Sequence, residues 1–176
     1  MTQTKTQARP EPETENACVQ PPIPAESREL TLTRVIDASP EKLFRCWTEP
    51  ELMKKWFCPR PWTTPHIETD ARTGGSSFIV MRGPEGQEMP HRGIYLEVVP
   101  NRRLVFTDAF VNAWEPSAKP FMVGIVEFEP VPGGKTRYTA RARHWTVADR
   151  EQHEKMGFHE GWGKAADQLE EVAKTI

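Results

Sequence analysis

The sequence predicts an α+β fold, in which a curved antiparallel sheet of six to seven strands wraps around one long C-terminal helix. Three patterns indicate this fold. Residues 147–176 place apolar side chains at helical spacing, residues 63–145 alternate apolar and polar side chains between turn signals, and residues 39–57 carry two short helical patterns. An amphipathic helix cannot bury its own apolar stripe, so we expect the sheet to cover it.

Composition limits the classes of function. The chain has 176 residues, of which 37% are hydrophobic and 27% charged, and its formal net charge is -2. This length fits one domain with a tail, and the near-neutral charge gives no electrostatic reason to expect a nucleic-acid partner. The apolar runs are too short for a membrane span, and the polar N-terminus does not resemble a secretory signal.

The first residues differ in composition from the rest of the chain. Residues 1–27 are rich in threonine, glutamine, glutamate and proline and contain almost no large apolar side chain. Such a segment buries too little surface to offset the entropy of ordering it. We therefore predict a disordered or loosely attached tail at residues 1–27 and one folded domain at residues 28–176.

The cysteines indicate the compartment. Cys18, Cys46 and Cys58 are odd in number and form no CxxC motif, so we interpret them as free thiols. Free thiols are typical of a reducing environment, which predicts a cytoplasmic protein. A disulfide between Cys46 and Cys58 is the less favoured alternative.

One strand and two short helices are expected at the start of the domain. Residues 29–37 alternate apolar and polar side chains, which predicts a strand. Ser39 followed by Pro40 is typical of a helix start, with serine as the N-cap and proline at the first helical position. A second short helix restarts within residues 48–51, and Pro59 ends it because proline cannot continue a helix.

Six further strands follow, separated by turns. Pro65 marks the first of them as an edge strand or the site of a bulge, and glycine pairs at residues 74–75 and 133–134 fit hairpin turns. Because hairpins join neighbours, the sheet is expected to be antiparallel. The predicted strands cover residues 63–72, 77–82, 92–99, 104–110, 121–129 and 136–145.

The C-terminal helix is predicted from the spacing of its apolar residues. These recur at intervals of four, three, four and three, which keeps them on one face of a helix over residues 147–176. Glycines in its first half each lower helix stability by about 1 kcal/mol relative to alanine. We interpret them as permitting close approach to the sheet or a bend. The stripe consists of Phe158, Trp162, Ala165, Leu169 and Val172.

Several short motifs occur in order along the predicted domain. They lie at residues 47–51, 56, 70–75, 93–100, 103–106, 133–136 and 161–162. Taken together, they resemble the SRPBCC superfamily, whose members share the START-like or helix-grip fold. Within that superfamily, the chain is similar to the branch named after the C-terminal domain of the heat-shock chaperone ATPase activator.

The resemblance implies an apolar cavity between the sheet and the C-terminal helix. Superfamily members include lipid carriers, polyketide cyclases and binders of hydrophobic ligands, so the motifs are specific for a fold and not for an activity. An apolar pocket with a few polar groups is the usual small-molecule site, and we expect binding of a hydrophobic or aromatic molecule without turnover. The expected ligand-binding residues are Trp56, Phe78, Phe106, Phe110, Met122, Tyr138, His144, Phe158 and Trp162.

A polyketide-cyclase-like or dehydratase-like enzyme is the first alternative. His144 shares one face of the last predicted strand with Tyr138 and two alanines, which leave space around it. Asp108 lies in phase with the apolar residues of its strand, and His159 flanks the apolar stripe of the helix. If His144 meets Asp108 or His159 in the cavity, the pair supplies the acid and base that such an enzyme needs.

The family name implies a second alternative, a domain that interacts with a chaperone. We favour it less, because the residues before the predicted domain are too few to form another folded domain. The five histidines show no metal-ligand spacing, and no phosphate-binding or dinucleotide motif is present. We therefore expect no metal and no cofactor, and the sequence leaves a homodimer open.

Overall fold

The structure is a computed structural model that describes residues 24–112 and 114–176. No helix in this part of the chain is both long enough and apolar enough to cross a membrane. Its elements, in chain order, are a 3-10 turn at Ala25–Arg28, β1 at Glu29–Ile36, α1 at Pro40–Thr48, α2 at Pro50–Met53, β2 at Thr63–Thr69, β3 at Ser76–Arg82, β4 at Glu88–Val99, β5 at Arg103–Thr107, β6 at Phe110–Asn112, β7 at Glu115–Pro116, β8 at Val123–Val131, β9 at Lys135–Arg143, α3 at Val147–Lys155 and α4 at Phe158–Ala173.

Seven strands form one antiparallel sheet in the order β1-β9-β8-β5-β4-β3-β2. All strands from β2 to β9 that belong to this sheet pair with their neighbours along the chain, while β1 pairs with β9. The predicted α+β fold, with two short helices after the first strand, is confirmed. The predicted strand over residues 104–110 ends early, because the chain leaves the sheet after Thr107 and forms a separate ribbon from β6 and β7.

Local sequence signals position the edges of this sheet. β2 is an edge strand, as Pro65 predicted, and its pairing with β3 shifts register between Thr63 and His66. α1 begins at Pro40 after an extended Ser39, also as predicted, although the serine side chain makes no capping hydrogen bond.

The prediction of one continuous helix over residues 147–176 is wrong. The segment forms α3 and α4, which are separated at Met156 and Gly157. Gly157 has a φ angle of 94°, a left-handed conformation that residues with a Cβ adopt only with strain. Its amide donates a hydrogen bond to the Glu154 carbonyl at 3.0 Å and so closes the last turn of α3. α3 therefore packs separately, against the first turn, β1 and α4.

The apolar stripe of α4 has two parts. Leu169 and Val172 are buried in the main core and Phe158 in a smaller cluster beside it, and each contributes roughly 1.5–3 kcal/mol relative to an exposed side chain. Trp162 and Ala165 are only half-buried, because they face a cavity instead of a packed wall. The C-terminal helix thus seals the core at both ends and leaves its middle next to open space.

Charged side chains identify the outer face of the sheet. Arg141 pairs with Glu127, the Arg103 guanidinium lies 2.9 Å from the same carboxylate, and Arg143 lies 2.8 Å from Glu29. Pairs of this kind near the surface contribute about 1 kcal/mol or less each. These pairs show which face of the sheet is the outer one. The alternate residues of β9, including the predicted alanines and Tyr138, therefore lie on the inner face.

Some sequence predictions concern residues without a described structure. Cys18 and most of the predicted tail at residues 1–27 lie outside the described residues, which begin at residue 24. Cys46 and Cys58 are both buried free thiols, so the structure follows the favoured interpretation and not the disulfide. Burial raises the pKa of the Cys46 thiol to about 11.

Candidate functional site

A cavity of about 340 Å³ lies between the inner face of the sheet and the helices α1, α2, α3 and α4. Ligand pockets span roughly 300–1,000 Å³, so this one suits a small molecule. The residues that line it are Trp47, Met53, Trp56, Phe57, Ser77, Ile79, Met81, Met89, His91, Arg92, Gly93, Ile94, Tyr95, Phe106, Thr107, Asp108, Phe121, Met122, Tyr138, His153, Met156, Trp162, Ala165 and Ala166.

Aromatic rings form one wall of the cavity. The centroid of Trp47 lies 4.8 Å from that of Trp56 and 5.7 Å from that of Phe106. These spacings are within the favourable range for aromatic pairs. Gly124 makes room for the wall, because a Cβ on this residue would lie 2.4 Å from the Phe106 ring. The wall is therefore held by backbone placement in β8 as well as by ring packing.

Methionines form much of the remaining lining. Of the six methionines in the chain, all but Met1 line the cavity. Thioether side chains are unbranched and polarisable, so they adapt to ligands of different outline. Met89 is 43% exposed and Met156 is 67% exposed, whereas Met53 is buried. The two exposed methionines therefore mark the opening of the cavity to solvent.

The inner end of the cavity carries two polar groups. Tyr138 is 3% exposed and Trp47 is 6% exposed, and burial raises the pKa of the tyrosine hydroxyl, while the neighbouring Trp47 indole opposes this shift. The Trp47 indole N–H is buried without an acceptor in good hydrogen-bond geometry among the described residues. By contrast, the Trp56 N–H donates to the Cys46 carbonyl at 2.9 Å. At the inner end of the cavity, one hydrogen-bond donor therefore has no protein partner.

A pair of histidines flanks the cavity near its opening. His144 Nε2 lies 2.9 Å from His153 Nδ1, and His144 Nδ1 lies 3.2 Å from the Arg28 carbonyl oxygen. Burial, followed by the neighbouring His144, lowers the pKa of His153 to about 4. Burial also lowers the pKa of His144. Both rings are therefore neutral at neutral pH, and His153 is the one that borders the cavity.

The three residues of the predicted acid–base set are not joined by hydrogen bonds. Both carboxylate oxygens of Asp108 accept hydrogen bonds from the Phe121 amide at 2.9 Å, and one also accepts from the next amide. His159 is exposed on α4 and lies 3.6 Å from Glu154. Asp108 thus anchors the start of β8, His144 bonds to His153, and His159 faces solvent. The three side chains have different local partners and do not form one acid–base set.

Five of the nine predicted ligand-binding residues line the cavity. The other four lie elsewhere: Phe78 because side chains alternate along its strand, and Phe110 because the chain leaves the sheet after Thr107. Phe78 is on the outer face of β3, where the Arg92 guanidinium lies 4.0 Å from its ring, while its neighbour Ile79 faces inward. Phe110 is in β6 and packs 5.6 Å from Trp114. The lining residues are Trp56, Phe106, Met122, Tyr138 and Trp162.

The remaining two lie behind the lining. His144 is 1% exposed and is separated from the cavity by His153. Phe158 is buried with Leu30 and Ala142 in a small cluster beside the main core. Both positions were predicted from residue type and phase, which do not show how many layers separate a side chain from open space.

His153 is the main functional candidate that the sequence prediction missed. The sequence prediction considered the five histidines only for metal-ligand spacing and assumed one helix over residues 147–176. The useful signal was Thr146, whose hydroxyl accepts from the Asp149 amide and caps α3. A helix that starts directly after β9 brings a histidine from its second turn back over the strand end, where His144 lies. No cluster of three or more metal-ligating side chains occurs among residues 24–112 and 114–176.

A family model supports the resemblance seen in the motifs. The model described as Activator of Hsp90 ATPase homolog 1-like protein matches residues 37–174, which is more than half of the chain. A search of curated proteins gave no match.

Solved structures give the same fold. A protein from Nitrosomonas europaea is 43% identical, with 85% of this chain and 96% of that chain covered and a TM-score of 0.81. One from Rhodobacter sphaeroides is 22% identical, with 87% and 97% covered and a TM-score of 0.75. An AHSA1-like protein from Aeromonas hydrophila is 18% identical, with 84% and 92% covered and a TM-score of 0.64. The last two identities are low and show the fold alone. From the family match and the Nitrosomonas relative, the chain belongs to the Activator of Hsp90 ATPase homolog 1-like family, within the SRPBCC superfamily.

Proposed function

We propose that this protein binds an apolar or aromatic small molecule in the cavity between the sheet and α4, without turning it over. The single observation that carries this proposal is the cavity of about 340 Å³ with its wall of aromatic rings and methionines. Met89 and Met156 are exposed at its edge, which gives a ligand a path from solvent. The lining favours contact by apolar surface, with polar groups at only a few points.

The expected affinity is moderate. A ligand that buries about 300 Å² of apolar surface gains roughly 7 kcal/mol from transfer out of water. The loss of translational and rotational freedom offsets part of this gain, and adaptable methionines add an ordering cost. We therefore expect dissociation constants on the order of 10 µM to 1 mM for simple aromatic probes.

An acid–base enzyme is the second candidate, and the histidine pair is the observation in its favour. His153 borders the cavity and receives support from His144, as a proton carrier would. A general base works best with a pKa near the operating pH, and burial lowers the pKa of His153 to about 4. The oxygens of Asp108 are already occupied by backbone amides. These properties favour binding over proton transfer.

A chaperone-interacting domain is the remaining alternative, and it rests on the family description alone. Such a role requires an exposed apolar patch, whereas the clearest apolar surface here is the wall of a cavity. We also propose a cytoplasmic location, which the buried free thiols of Cys46 and Cys58 support.

A titration with naphthalene tests the proposed function. Trp47, Trp56 and Trp162 line the cavity, so a bound aromatic molecule alters their fluorescence. Ala165→Phe places a ring in the cavity and is expected to abolish the response. Ala148→Phe, on the exposed side of α3, is the matched control and is expected to retain it. A response of equal size in both variants, or none in the native protein, contradicts the proposal.

Native mass spectrometry of protein purified from its own source addresses the identity of the ligand. A retained apolar small molecule that the Ala165→Phe variant lacks supports the proposal.

A further inference from the structure

The tautomers of the histidine pair follow from its hydrogen bonds. A carbonyl oxygen only accepts, so the Nδ1 of His144 must donate its hydrogen to the Arg28 carbonyl. In neutral His144 the Nε2 is then an acceptor, and it receives the hydrogen of His153 Nδ1 at 2.9 Å. Neutral His153 therefore carries a lone pair on Nε2.

This Nε2 atom is the group that the pair offers to a ligand. His153 lines the cavity, and no hydrogen bond joins its Nε2 to a protein atom among residues 24–112 and 114–176. Of the surrounding rings, with centroids 4.9 to 6.2 Å away, Phe121 and Phe158 have no hydrogen-bonding atom, and no hydrogen bond joins the Trp162 indole to the nitrogen. The position is thus an acceptor in an apolar setting and matches a ligand group that donates a hydrogen bond.

The inner end of the cavity offers hydrogen-bond donors, whereas His153 offers an acceptor. The Trp47 N–H and the Tyr138 O–H are two donors, and between them they have one acceptor, the tyrosine oxygen. The Trp47 N–H has no acceptor in good geometry, and no other protein acceptor reaches the Tyr138 hydroxyl within the described residues. Whichever way these two groups interact, at least one hydrogen is left without a protein acceptor. Buried donors of this kind normally find a partner.

We propose that the cavity selects aromatic molecules with a hydroxyl group at one end, which donates to His153 Nε2, and a carbonyl oxygen at the other, which accepts from the O–H of Tyr138, the member of the Trp47 and Tyr138 pair that a ligand can reach. This inference rests on the proposed function, because it specifies the ligand of the same cavity. Phe106 and Trp162 also line the cavity and offer rings for contact with the aromatic body. His144 acts as a positioning residue that fixes the tautomer of His153.

Three naphthalene derivatives of similar shape provide the test. Acetylnaphthol carries both polar groups, acetylnaphthalene lacks the hydroxyl, and ethylnaphthol replaces the carbonyl with a methylene. Binding of each is measured by tryptophan fluorescence to the native protein, to His153→Phe and to His159→Phe. His159 is exposed and does not line the cavity, so its variant is the matched control.

The decisive quantity is the ratio of affinities for acetylnaphthol and acetylnaphthalene. In His153→Phe this ratio is expected to fall about fivefold to tenfold, the effect of one hydrogen bond, while His159→Phe leaves it unchanged. Equal ratios in all three proteins overturn the proposal. If His153→Phe does not fold, nitrogen-15 NMR of the native protein replaces it. The His153 Nε2 resonance should then move upfield with acetylnaphthol and stay in place with acetylnaphthalene.

The proposed hydrogen bond to the ligand carbonyl is tested separately, by infrared spectroscopy. The infrared carbonyl stretch of bound acetylnaphthol is expected at a lower frequency than in cyclohexane, and ethylnaphthol is expected to bind more weakly than acetylnaphthol. A carbonyl stretch unchanged from cyclohexane overturns the assignment to Tyr138. Failure of every probe, including naphthalene, overturns the proposed function itself, whereas binding without discrimination overturns only this inference.

Discussion

The break between α3 and α4 gives a sharp prediction, because two glycines near it differ in only one property. A Cβ added to Gly157 or to Gly161 meets no atom within 4 Å, so neither substitution by alanine creates a clash. Gly157 has a φ angle of 94°, whereas Gly161 lies within α4. The left-handed conformation costs a residue with a Cβ roughly 1–2 kcal/mol. In a helix interior, by contrast, alanine is more stable than glycine by about 1 kcal/mol.

Gly157→Ala is therefore expected to lower the free energy of unfolding by roughly 1–2 kcal/mol, and Gly161→Ala to raise it by about 1 kcal/mol. Circular dichroism during urea denaturation measures both values, and the melting temperatures should move by about 2–4 °C per kcal/mol in opposite directions. If Gly157→Ala is as stable as Gly161→Ala, residue 157 is helical and the account of the break is wrong.

Three further predictions concern side chains in the site and beside it. Since the pKa of His153 is lowered to about 4, its neutral form stabilises the fold fully above about pH 6.5, and roughly 3 kcal/mol of this stability is lost as the pH falls toward 4. Urea denaturation across this range should show a weaker pH dependence for His153→Phe; an unchanged dependence contradicts the assignment. Gly124→Ala forces the Phe106 ring to move and is expected to cost about 1–3 kcal/mol and to weaken naphthalene binding, which denaturation and fluorescence measure. Gln168→Met leaves three backbone groups without their partner and is expected to cost about 3 kcal/mol or more by denaturation; a loss below about 1 kcal/mol shows that water replaces the side chain.

Features with a local cause were predictable from the sequence. Pro65 predicted the edge strand because proline lacks an amide hydrogen, and Pro40 predicted the start of α1 because its φ angle is already helical. The stripe after Phe158 predicted α4. The same stripe gave no information about residues 147–157, whose polar side chains fit one helix or two, and the left-handed Gly157 decided between them.

The site was harder to predict, because it depends on which residues meet across the fold. Phe78 was chosen for its aromatic ring, although Ile79 and Met81 are the residues of β3 that line the cavity. The contact between His144 and His153 depends on where α3 begins and how it returns over β9. The spacing of the histidines in the sequence predicts neither. The presence of a hollow is a property of packing in three dimensions, which periodicity does not report.

The methionines offer the most direct test of the claim that the cavity holds a small molecule. With carbon-13 in the methionine methyl groups, NOEs from bound naphthalene report its position within the protein. We predict NOEs to the methyl groups of Met53, which is buried, and Met122, which is half-buried, since both line the cavity. NOEs to Met89 and Met156 alone, or none at all at saturating naphthalene, would contradict the account.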